Sequence, residues 1–110
     1  MSRITIAGLQ RYLKEKDYHP ERKVDYFLKL SEEVGELASA IYEKRTPASE
    51  DDFKGTIEEE IYDVIYYAFG LANAYGIDIE KWIYVKEKLN DEKYGTNDAV
   101  KLGVFGENYP

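Results

Sequence analysis

The sequence contains no cysteine. Disulfides, thiolate metal sites and a cysteine nucleophile are excluded at once, and nothing suggests redox chemistry. It has a single histidine, His19. A di-iron carboxylate bundle needs a Glu-x-x-His on each of two helices and is therefore disfavoured. Cations are also in short supply: 15 Lys and Arg stand against 22 Asp and Glu, for a formal charge of -7. With no basic stripe to neutralise a run of phosphates, no nucleic acid partner is expected. A small phosphorylated ligand stays open, because a bound metal and a few placed lysines overcome an acidic average locally. No apolar run approaches the roughly 20 residues of a membrane span, and MSRITIAGLQRYLKEKDY has no cleavage-site pattern. These absences predict a soluble, cytoplasmic protein without membrane association. Internal repeats and alternating strand-like runs are missing too, which leaves an all-α reading.

What is present is 110 residues, 44% of them hydrophobic, enough for one domain whose core a partner subunit would help to complete. Ile4, Leu9 and Leu13 form one apolar stripe and predict a first helix from about Ile4 to Glu15. Pro20 suits a first helical position, where its missing N–H is not needed, so a second helix is expected from there to about Lys44. Val24, Phe27, Leu28, Val34, Leu37, Ala38 and Ile41 give that helix a core-facing stripe. Gly35 in its middle costs about 1 kcal/mol relative to Ala, which suggests a close approach to the backbone. RTPASEDDFKG, residues 45–55, reads as a solvated connection containing a short helical turn. Thr56 and Glu59 form a capping box for the third helix, which Gly76 ends. Asp78 caps a fourth, from Ile79 to about Tyr94, with Trp82, Val85 and Leu89 facing inward and Gly95 ending it. Residues 1–95 are expected to form one four-helix bundle-like domain. Residues 96–110 form a tail too rich in glycine for a helix, whose Val100, Leu102, Val104 and Phe105 pack loosely or reach a neighbouring subunit.

One acid stands out. From Ile61 to Tyr75 the third helix is apolar or aromatic on every side apart from Asp63, Gly70 and Asn73, and a helix with no polar face is a buried helix. An ionised carboxylate there needs a partner or stays protonated. Glu60 lies three residues earlier, on the same face. At an effective dielectric of about 20, two charges about 5 Å apart repel by roughly 3 kcal/mol, so Glu60 worsens the problem and a divalent cation is the simplest remedy. Glu33 and Glu36 repeat the i, i+3 spacing on the second helix. Two antiparallel helices can bring both pairs face to face. Four converging carboxylates make a hard oxygen site for Mg²⁺ or Mn²⁺, with positions left for water and a phosphate. Glu32 points about 100° away from Glu33 and is an outer group, a second-metal ligand or a solvated acid. Acids at i, i+3 are also common on exposed faces, and Glu58 to Glu60 suit a helix N-terminus; a non-catalytic helical oligomerisation or partner-binding module is the alternative.

EEVGEL followed by EEEIYDVIYYAFGLANAYGID resembles the MazG-type nucleoside triphosphate pyrophosphohydrolases, whose signature is E-x-x-E, a spacer, then E-x-x-D. Glu33 and Glu36 match the first half, and Glu60 and Asp63 the second. KEKLNDEKYG resembles the family's phosphate-side motif of a lysine followed by N-x-x-K-Y, placing Lys86, Asn90, Lys93 and Tyr94 as substrate contacts. The first three fall on one helical face. The resemblance spans roughly Val24 to Tyr94, and Gly95 departs from the proline often found there. It implies the MazG fold, Mg²⁺-dependent hydrolysis of a nucleoside triphosphate between the α and β phosphates to a monophosphate and pyrophosphate, and a homodimer or homotetramer. Glu32 or Glu36 would act as base, and Tyr67 would stack on or bound the nucleobase, with Trp82 a second aromatic. Within the same superfamily, a phosphoribosyl-ATP pyrophosphatase is less favoured by the aromatic-rich third helix.

Overall fold

A computed structural model describes residues 3–101 and Gly103, and all regular structure among these is helical. The helices are α1 (Ile6–Lys16), α2 (Lys23–Tyr42), α3 (Ile57–Ala74), α4 (Ile79–Tyr94) and the short α5 (Asp98–Lys101), with a 3₁₀ turn at Glu50–Asp52 in the loop before α3. The expected all-α class is what is found. No helix among the described residues is long and apolar enough to cross a membrane. The chain divides into two compact units between Ile77 and Asp78.

In the first unit, α2 and α3 run antiparallel. Ile57 N donates to Arg45 O at 3.0 Å beside the connecting loop, Glu33 faces Glu60 and Asp63 in the middle, and Tyr26 meets Gly70 at the far end. Residue numbers fall on one helix as they rise on the other. The inner face of α2 is Tyr26, Leu30, Glu33, Leu37 and Ala40, one helical stripe. The stripe expected to face the core is largely a second, open one. Val24 is 69% exposed, and Phe27, Leu28, Val34 and Ile41 are each at least half exposed, because a helix apolar on two faces can turn only one toward a single partner. The N-terminal half of α3 is likewise open at Ile61, Tyr62 and Ile65, whereas its C-terminal half buries Phe69, Gly70, Ala72, Asn73 and Ala74. The expectation of burial on every side holds for that half alone.

Helix α1 packs on α3 through Leu13, 2% exposed, and through an amide clasp. Gln10 Nε2 donates to Asn73 Oδ1 (3.0 Å) and Ile77 O (2.6 Å), while Asn73 Nδ2 returns a bond to Gln10 O (3.1 Å). Buried Asn73 thereby has its polar atoms satisfied, as burial requires. Thr5 caps α1 by accepting from Gly8 N at 2.9 Å, which leaves Ile4 outside the helix. Pro20 does not open α2. It lies in a turn closed by Arg22 N on His19 O at 2.9 Å, and α2 begins three residues later.

The Thr56 box forms with one change. Thr56 Oγ1 accepts from Glu59 N at 3.3 Å, but the Glu59 carboxylate accepts from Gly55 N (2.8 Å), one residue before the cap. Gly76 (φ 68°) follows the end of α3 in the left-handed region that glycine adopts without cost. Of the mid-helix glycines of α2 and α3, the one against which a neighbour presses is Gly70: a Cβ there would lie 3.0 Å from the Tyr26 ring, whereas one on Gly35 would meet nothing within 4 Å.

In the second unit, Asp78 accepts from Lys81 N at 3.3 Å to cap α4, and Gly95 (φ 64°) ends it. Trp82 and Leu89 are more than half exposed, so the expected inward stripe of α4 is partly open. Despite its glycines the tail forms α5, with Ala99 buried. Asp91 organises the turn into it, accepting from Thr96 Oγ1 (2.8 Å) and Asp98 N (3.1 Å). Leu102, Val104 and Phe105 lie outside the described residues.

Candidate metal and substrate site

Glu33, Glu60 and Asp63 each place a carboxylate oxygen within 4.8 Å of the other two. The cause is register: Glu33 is the acid on the inner stripe of α2, and Glu60 and Asp63 lie one turn apart on the face of α3 opposite it. Glu60 is only 7% exposed, and its Oε2 is buried with no hydrogen-bond partner. A buried orphan carboxylate oxygen is costly.

The electrostatics agree with the geometry. The Glu33 carboxyl is pushed up to about 7, first by burial, then by a proton shared with Glu60 and by the charges of Asp63, Glu60 and Glu32. Asp63 is raised above the ordinary aspartate value, first by burial and then by Glu59 and Glu60, against a lowering from Lys54. Three carboxylates in this space cannot all ionise cheaply without a cation. The donor set is all oxygen and partly buried, which fits a hard divalent ion such as Mg²⁺ or Mn²⁺.

The other expected residues are placed as follows. Glu36 is exposed and outside the cluster of three. Glu32 is exposed and ion-paired with Lys29 (Nζ to Oε2, 3.4 Å). Tyr67 is next to the cluster, its hydroxyl raised first by burial and then by Glu33, Asp63 and Asp17, against a lowering from Lys29. Lys86, Asn90, Lys93 and Tyr94 are on α4 in the second unit. There Asn90 Nδ2 donates to Glu87 Oε1 at 3.4 Å, and Lys93 Nζ sits 5.3 Å from the Tyr94 ring centre.

Beyond the acids, the groove between α2 and α3 continues into a cavity of about 250 Å³ lined by Lys29, Tyr67, Tyr26, Arg22, His19 and Asp17, among others. Its end wall is the turn between α1 and α2. Tyr26 Oη accepts from His19 N (3.0 Å) and donates to Asp17 O (3.3 Å), and His19 Nε2 is 3.2 Å from Asp17 Oδ1. Sequence reasoning named Tyr67 and missed the rest of this wall. Lys29, four residues before Glu33 and so on the same face, was the signal available.

The MazG nucleotide pyrophosphohydrolase domain family matches residues 23–93. The chain belongs to that family. Two crystal structures of iMazG from Vibrio DAT 722 are similar to it. The C-terminally tagged form superposes with a TM-score of 0.76 at 44% identity, covering 80% of this chain and 99% of the other. The N-terminally tagged form gives 0.77 at 46% identity, covering 83% and 98%. Among curated proteins none matches. This MazG-family chain is therefore a hydrolase of the nucleotide pyrophosphohydrolase class with the family's all-α fold. The matched segment contains the whole acid cluster.

Proposed function

We propose that the protein hydrolyses a nucleoside triphosphate between its α and β phosphates, releasing a nucleoside monophosphate and pyrophosphate, with Mg²⁺ as its cofactor. The observation that carries this reading is the Glu33, Glu60 and Asp63 cluster with its orphaned buried Glu60 oxygen. These three residues would hold the divalent ion, and when bound it would offset phosphate charge and favour deprotonation of water. Glu36, one turn further along α2, is the fourth carboxylate of the site. Glu36 or Glu32, both reachable from solvent, accepts the proton of the attacking water. Tyr67 and the cavity beyond it receive the nucleoside, whose base gains an aromatic face. Lys86, Asn90, Lys93 and Tyr94 are assigned to the phosphates on motif resemblance alone.

The open apolar stripe of α2 supports a homo-oligomer. Five large apolar residues on one helix, each at least half exposed, form a patch of the kind that marks association, and a second copy of the chain is the occupant proposed. Screening canonical and modified nucleoside triphosphates for Mg²⁺-dependent pyrophosphate release tests the activity. Release of inorganic phosphate alone, or no turnover of any nucleotide, would remove this reading.

A further inference from the structure

We propose that Lys29 binds the α-phosphate of the substrate and so fixes the direction in which the nucleotide lies along the α2–α3 groove. The proposal rests on the reading of the acid cluster as the metal and triphosphate site. Lys29 is one turn before Glu33 on α2, and Tyr67 is one turn after Asp63 on antiparallel α3. The two residues therefore line the same stretch of groove, where the open cavity of about 250 Å³ comes up to the acids.

A turn of helix advances about 5.4 Å, close to the separation between a nucleotide's scissile phosphoanhydride and its sugar. If the nucleoside occupies the cavity while the bond to be broken lies at the acids, the group that passes Lys29 is the α-phosphate. Lys29 can turn to it at little cost. Its present partner is Glu32 at 3.4 Å, and both side chains are more than half exposed, the condition in which an ion pair holds a lysine weakly. Arg22, also on the cavity wall, is two turns from Lys29 in the direction away from the acids, roughly 11 Å along the helix and so out of reach of a phosphate held beside Lys29. The leaving pyrophosphate then departs toward the opposite end of the groove, where Lys54 already acts on Asp63.

Product inhibition separates the two ends of the substrate. The wild-type chain and Lys29→Gln are compared for turnover of the best substrate, for inhibition by its monophosphate and by pyrophosphate, and for the rise in melting temperature with Mg²⁺. Lys29→Gln is expected to raise the KM and the monophosphate inhibition constant roughly tenfold, the scale of a lost charged hydrogen bond. Pyrophosphate inhibition and the Mg²⁺ shift should stay as in the wild type, and Lys29→Arg should recover part of the loss. Weakened pyrophosphate inhibition with unchanged monophosphate inhibition would overturn the proposal, since the substrate would then lie the other way round. Unchanged inhibition by both products would also overturn it. A wild-type chain with neither a Mg²⁺ shift nor pyrophosphate release would instead remove the reading beneath it.

Discussion

The ring of Tyr26 lies against the backbone of Gly70, so close that a Cβ on residue 70 would sit 3.0 Å from Cδ1 and Cε1. The ring is not free to retreat. Its hydroxyl is held at both lone pair and proton, by His19 N at 3.0 Å and Asp17 O at 3.3 Å. Gly70→Ala should therefore destabilise the protein by about 1–2 kcal/mol, because the overpacking cost exceeds the gain of about 1 kcal/mol in helix propensity. Chemical denaturation checks the sign: a more stable Gly70→Ala variant would mean that the contact has room to give.

That contact also marks where the sequence was silent. Capping signals at Thr56, Asp78, Gly76 and Gly95 were readable because each acts within a few residues of itself. Asp63 was readable as an anomaly in an apolar helix, and Glu33 as its partner by matched spacing. The face that α2 turns inward was not, because Val24, Phe27, Leu28, Val34 and Ile41 make as good a helical stripe as Tyr26, Leu30, Leu37 and Ala40. Only the packing of α3 decides between them. Gly35 and Gly70 are indistinguishable on the same ground, and the turn holding Pro20 depends on Tyr26 reaching back to Asp17 and His19. The cavity wall combines three separate segments, which no local pattern announces.

The metal-free protein should lose stability as the pH rises. Glu33 has its folded value raised to about 7 from an ordinary value of 4.5, so the folded state binds the extra proton. The stability this contributes is fully present below about 4.5 and is lost as the pH passes through about 7. Asp63, raised for the same reasons, acts in the same direction. With Mg²⁺ added the trend should weaken, since the ion competes with that proton and its binding strengthens from pH 6 to 8. Melting temperatures in chelator and in millimolar Mg²⁺ across pH 5 to 8.5 test both halves. A metal-free melting temperature that rises over this range would contradict the protonated cluster.

Glu60→Gln and Asp63→Asn should uncouple stability from activity. Each removes one negative charge from a cluster of three acids that the single opposing influence of Lys54 on Asp63 does not balance, so the metal-free protein should gain stability of order 1 kcal/mol. Each should also abolish the Mg²⁺-dependent rise in melting temperature and lower pyrophosphate release by about 10²-fold or more. Glu36→Gln should lower turnover while leaving much of the Mg²⁺ shift, because Glu36 is outside the group of three. Turnover retained in Asp63→Asn would place the chemistry elsewhere.

The outer face of α2 yields the last expectation. Among the described residues seven apolar side chains are buried, four of them alanines, whereas Val24, Phe27, Leu28, Val34 and Ile41 stand open together. Fully burying a residue of this size stabilises by about 1.5–3 kcal/mol, so covering the stripe with a second copy is worth far more than its side-chain ordering costs. A charge placed there meets no loss in the isolated chain but must be desolvated at the interface. Leu28→Glu and Val34→Glu should therefore shift the mass measured by light scattering from a multiple of 12.8 kDa toward that of one chain, and lower the melting temperature with it. Glu43→Lys, an exchange beyond the C-terminal end of the same helix, should leave the mass unchanged. A wild-type chain that is monomeric at every concentration would show that the stripe is not a contact between copies.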